Sequence, residues 1–152
     1  MPGIDECLLE AMALPGARGA ALVDWSSGLA LGTVGESPVG DHETTAAETA
    51  ELARAAAEYE TFAATSDPAA RPAPGAAGGG PGGAAGAAAA GVGGPPVEDL
   101  IVTTRTGYHV LRFVATSFDS SVFLHLWLDR AEGNLALARM RLRDLAEGLV
   151  LR

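Results

Sequence analysis

The sequence predicts an α/β domain of the α+β kind, with its elements in the order α-β-β-α-β-β-β-α. Three observations carry that prediction. Leu100–Thr104, Tyr108–Val114 and Val122–Leu128 are rich in β-branched and aromatic residues, are broken at Gly107 and at Asp119-Ser120-Ser121, and are followed from Asp129 by a helical run. The first 65 residues read as helix, strand, strand, helix. Both faces of the last two strands are apolar, and a sheet of that kind must be covered on each side.

Taken in order, Ile4, Leu8 and Met12 recur every fourth position with Asp5, Glu6 and Glu10 between them, which is one apolar stripe on a short helix. Pro15-Gly16 ends it. Ala17–Asp24 and Leu29–Val34 are two short apolar runs joined by Trp25-Ser26-Ser27-Gly28, a β-hairpin in which Gly28 supplies positive φ. Asp41 is a good N-cap for a helix running to about Phe62, with Glu43 placed to suit the helix dipole. Ala46, Ala50, Ala53 and Ala57 line one side of that helix and Glu48, Glu51 and Glu58 mark another. Such an alanine face permits close approach of the sheet or of a second copy of the helix.

In the final hairpin, any antiparallel register with an even residue sum puts His109, Leu111, Phe113, Phe123, His125 and Trp127 on one face. Val110, Val114, Val122, Leu124, Leu126 and Leu128 then form the other. The last helix has Asp129 and Glu132 at capping-box spacing, and Leu135, Ala138, Leu142, Leu145 and Leu149 form its apolar stripe.

One stretch cannot join a core. Residues 67–96 hold 10 Gly, 11 Ala and 6 Pro among 30 positions, too little apolar side chain to offset a backbone entropy of about 1–2 kcal/mol per residue. The expected organisation is a single domain over residues 1–152 with a flexible insert at 67–96.

Composition excludes several functions. Ten positive charges against 19 negative give a net charge of −9, which repels phosphate backbones and speaks against nucleic acid as a partner. Every cation is Arg, so no P-loop, Schiff-base or kinase-type lysine exists. Cys7 is the single cysteine, so neither an internal disulfide nor a zinc cluster can be assembled. The start, Met1-Pro2-Gly3-Ile4-Asp5-Glu6, lacks a basic segment ahead of an apolar one, and the long uncharged run is mostly Gly, Ala and Pro. A cytoplasmic protein without membrane insertion is expected.

No constellation advertises catalysis, and no catalytic residue, cofactor or metal is assigned. Gly78-Gly79-Gly80-Pro81-Gly82-Gly83 has the glycines of a phosphate loop without its strand, helix or lysine. Trp25-Ser26-Ser27-Gly28 lacks the leading glycine of a nucleophile elbow. His109 and His125 share a strand face with Phe123 and Trp127, which is either a packed pair of imidazoles or the wall of a small-ligand pocket. Leu100-Ile101-Val102 reads either as a central strand or as an edge that pairs with a second subunit.

The element order, together with Ala20–Val23, Asp24, Gly28, Ile101-Val102-Thr103-Thr104, Tyr108-His109-Val110-Leu111-Arg112 and the helix Asn134–Leu149, resembles the roadblock family over residues 4–65 and 97–150. That family includes roadblock-type dynein light chains and bacterial gliding-motility proteins. The resemblance implies a five-stranded antiparallel sheet with one long helix on one face and two on the other. It further implies a non-enzymatic homodimer that binds a small Ras-like GTPase and tunes its nucleotide cycle. By position the dimer seam falls at Leu100, Ile101, Val102 and Thr103, with Leu52, Ala53, Ala56 and Tyr59 on the helix. The Gly/Ala/Pro insert, between that helix and that strand, departs from the family pattern. The competing expectation is a ligand-sensing domain using His109, Phe123, His125 and Trp127.

Overall fold

The computed structural model describes residues 3–63, 96–115 and 121–150. Almost all of the predicted insert, and the Asp119-Ser120 break, lie outside them. The elements are α1 (Ile4–Met12), β1 (Ala17–Asp24), β2 (Leu29–Gly35), α2 (His42–Glu58), a one-turn α3 (Glu60–Ala63), β3 (Asp99–Thr103), β4 (Gly107–Val114), β5 (Val122–Asp129) and α4 (Leu135–Val150). The five strands form one antiparallel sheet in the order β2-β1-β5-β4-β3. A hairpin and a three-stranded meander therefore meet where β1 pairs with β5.

The register of β4 on β5 runs from Gly107 opposite Asp129 to Val114 opposite Val122, an even residue sum throughout, so the predicted division of faces holds. One face packs Val110, Leu124, Leu126 and Leu128 against Leu8 of α1 and Leu142 of α4. The other packs Leu111, Phe113, Phe123 and Val23 against Ala46, Ala50 and Ala53 of α2. One long helix thus covers one face and two helices cover the other. The two covers are unequal in strength. A buried leucine contributes about 1.5–3 kcal/mol and an alanine methyl roughly 0.8, so α2 is the more lightly held layer.

Two turns need glycine for stated reasons. Gly28, at φ +79°, closes the β1–β2 hairpin, and Asp24 accepts hydrogen bonds there from the Ser26 N–H at 2.9 Å and the Ser26 hydroxyl at 2.7 Å. Gly16, at φ +76°, lies against the backbone of Gly133, where an added Cβ would come within 2.6 Å of a main-chain nitrogen.

Two predicted boundaries move. The helix expected to reach Phe62 ends at Glu58, because Tyr59 takes an extended conformation (φ −70°, ψ 132°) before α3 begins. The last helix starts at Leu135 rather than Asp129. Asp129 still caps, but it caps a turn: its carboxylate accepts from the Ala131 and Glu132 N–H groups, both at 3.0 Å, and its carbonyl from Gly133 at 2.8 Å. Asn134 is the true N-cap, accepting from the Leu137 N–H at 3.0 Å. The turn is fixed by its approach to Gly16, whose carbonyl accepts from the Asp129 N–H at 2.7 Å.

Candidate docking surface

The sheet ends at β3, which pairs with β4 alone among the described strands. Its hydrogen-bonding parity follows from two flanking bonds: the Phe113 N–H donates to the Glu98 carbonyl at 3.0 Å, and the Thr104 N–H to the Gly107 carbonyl at 2.8 Å. Alternate residues of an antiparallel strand direct their main-chain groups to the same side. Leu100 and Val102 therefore bond toward β4, and Asp99, Ile101 and Thr103 direct N–H and C=O outward. This is an open template for another strand.

Side chains along this edge are apolar and only partly covered. Ile101 and Val102 are each 38% exposed although they point to opposite faces, Thr103 is exposed, and Leu100 packs at the margin of the α2 core. Arg139 of α4 holds the start of the strand, its Nε donating to Asp99 Oδ2 at 2.9 Å. On α2 the four residues singled out from sequence divide. Leu52 is 43% and Tyr59 57% exposed, whereas Ala53 and Ala56 are buried within their own chain. Phe62, which the sequence did not single out, is also exposed and brings its ring to 6.3 Å from that of Tyr59. The two rings stand three residues apart, the spacing at which helical neighbours meet, and the break at Tyr59 leaves them close.

The four residues of the competing pocket do share a face. His109 Nδ1 and His125 Nε2 lie 2.9 Å apart, their rings stack at 5.2 Å, and His109 also stacks on Trp127 at 6.1 Å. Phe123 is fully buried in the core. Burial holds His109 below the usual imidazole range and, with a smaller contribution from His109 and His42, takes His125 down to about 3. The space beside His125 and Trp127 is a cavity of about 10 Å³. That is room for about one water molecule and none for a metabolite. A larger groove, about 430 Å³, runs between α1 and α4 past Glu6, Glu10, Asp144 and Gly148. Among the described residues no group of three or more His, Cys, Asp or Glu is placed to hold a metal ion. No described helix is long and apolar enough to cross a membrane.

No protein-family model and no curated protein matches the chain. Solved structures do. The chain is similar to Myxococcus xanthus MglB at 17% identity with a TM-score of 0.60, covering 95% of this chain and 82% of that one. It is similar to a Roadblock/LC7 domain from Streptomyces avermitilis at 14% identity with a TM-score of 0.62, covering 97% and 94% respectively. The gliding protein MglB from Thermus thermophilus matches at 17% identity with a TM-score of 0.59, covering 96% and 84%. Five antiparallel strands, helices on both faces and these alignments over nearly the whole length agree: the chain has the roadblock fold.

Proposed function

We propose that this protein is a non-enzymatic regulatory module that forms a homodimer and binds a small Ras-like GTPase, modulating its nucleotide cycle. The observation that carries the dimer is the open edge of β3, where Asp99, Ile101 and Thr103 direct unpaired main-chain groups outward beneath exposed apolar side chains. A twofold axis through Ile101 sets Ile101 opposite its own copy and Asp99 opposite Thr103. That register engages roughly six main-chain hydrogen bonds and joins two sheets into one. Leu52, Tyr59 and Phe62 offer further exposed apolar side chains, on and just after the helix that covers the Leu100 face of the sheet. The likeness to MglB proteins supports the GTPase half of the reading.

The test has two arms. Light scattering on purified protein reports a dimer that Ile101→Lys converts to a monomer of unchanged circular dichroism. Mixing the dimer with a Ras-like GTPase from the same cells then changes the rate of GTP turnover; an unchanged rate across the candidates counts against this function.

A further inference from the structure

His42 and His125 line one cavity at the N-terminal end of α2, and His109, the third histidine of the chain, is bonded to His125. The helix closes there over the 10 Å³ cavity, which His42 and Thr45 of α2, Glu36 of the preceding loop, and His125 and Trp127 of β5 help to line. His42 Nε2 sits 3.1 Å from the Gly35 carbonyl, and His125 is joined to His109 as described. In the first turns of the helix the buried residues are Thr45 and Ala46, both small.

The charges that face His125 most directly oppose a further proton, and the nearby carboxylates are turned to other partners. From β1, the Arg18 guanidinium lies 4.2 Å over the Trp127 ring. Glu36, the one carboxylate lining the cavity, is engaged by Arg18 at 2.9 Å. From α2 come His42 and the positive end of the helix dipole. Asp41 and Glu43 of the cap are exposed, and Asp41 accepts from the Glu43 N–H and the Thr44 hydroxyl. β4 contributes His109, and on this face the edge strand β3 contributes only Leu100 and Val102. Among the described residues no carboxylate accepts a hydrogen bond from any of the three rings.

We propose that this histidine network is an acid-sensitive latch: below neutral pH, proton uptake releases the N-terminal half of α2 from the sheet while the strands stay paired. While the helix is closed, His125 is 4% exposed and stays neutral down to about pH 3. Once the helix lifts, water reaches the ring and its proton affinity rises toward the ordinary value near 6.5. Proton binding to the open form alone then pulls the equilibrium toward opening, by a factor approaching about 30 at pH 5 relative to pH 7.5. The alanine-built face of α2 makes it the layer from which such an opening costs least. Leu52 and Tyr59 belong to the other, Arg54-clamped end of the helix, so the latch stands independently of the proposed docking surface.

Hydrogen exchange on the intact chain at pH 7.5 and pH 5.0, normalised for intrinsic exchange, tests the latch without any partner. The expected result is an acceleration approaching about 30-fold at Thr45–Ala50, to rates that stay well above those of β4 and β5. In His125→Asn, which keeps a polar partner for His109, and in His125→Leu, which keeps the volume, the acceleration disappears; whichever variant folds decides. The latch is overturned if the α2 amides keep their neutral-pH protection, if they exchange in step with β4 and β5 as in global unfolding, or if the variants accelerate as much as the parent.

Discussion

Arg54 of α2 forks onto the main-chain carbonyl of Trp25, with Nη2 donating at 3.0 Å and Nε at 3.3 Å. It links the C-terminal half of the helix to the β1–β2 turn across 29 residues of sequence. Apart from Thr45 the buried residues of the helix are alanines, so this polar clamp should count heavily in docking α2. Hydrogen bonds from a charged donor contribute about 1.5–3 kcal/mol. Arg54→Ala is expected to lower stability by that amount in urea unfolding, and Arg54→Lys to recover only part of it, because an ammonium cannot reproduce the planar fork. An unchanged midpoint in Arg54→Ala would mean the clamp is ornamental.

Capping of the same helix is separately measurable. Asp41 accepts from the Glu43 N–H at 3.1 Å and from the Thr44 hydroxyl at 2.6 Å. Its Thr44 hydrogen bond, then that from Glu43, hold its carboxyl below the usual range. Asp41→Ala should lower the urea midpoint, and Asp41→Asn much less, because asparagine caps almost as well.

Gly16 and Gly28, two of the four described glycines with positive φ, should respond differently to alanine. At Gly28 nothing lies within 4 Å of the added Cβ, so Gly28→Ala pays only the left-handed backbone strain, about 1–2 kcal/mol. At Gly16 the same strain is joined by overlap with the Gly133 backbone, which cannot move aside without displacing the start of α4. Gly16→Ala should therefore cost clearly more than Gly28→Ala; equal losses would show that the Asp129–Gly133 turn yields freely.

Stability should fall in acid through His125. Its folded-state value, about 3, lies below the unfolded value near 6.5, so between those limits the unfolded chain binds the extra proton. The sign is destabilising on acidification. Stability is intact above about pH 6.5 and declines by roughly 1.4 kcal/mol per pH unit below it, levelling off near pH 3. Urea midpoints followed from pH 7.5 to pH 4.5 check this, and His125→Leu should flatten the acid limb.

Much of this fold can be read from residue parity. His109, Phe123 and Trp127 share a face because strand periodicity and an even register sum leave no alternative, and the apolar content of both faces demands helices on each. Parity says nothing about which strands become neighbours across long separations. The family resemblance implies a seam at β3, and the pairing of β1 with β5 that leaves β3 at an edge is visible only in the assembled sheet. The alanines show the same limit: Ala46, Ala50 and Ala53 have the spacing for either a sheet or a second helix, and they pack on the sheet. Asp129 failed as a helix start because its caps serve a turn fixed by Gly16, more than a hundred positions earlier in the chain. The contact of His42 with the cavity beside His125 carries no sequence signal either, since no periodicity joins the entry of α2 to the middle of β5.

The most direct measurement of the central claim is the solution mass of the purified chain at micromolar concentration. A twofold pairing of β3 edges predicts twice the chain mass of 15.3 kDa, falling to a single chain in Ile101→Lys with the circular dichroism unchanged. A parent protein that already runs at 15.3 kDa, with its β3 amides exchanging as freely as those of an unpaired edge, would contradict the account.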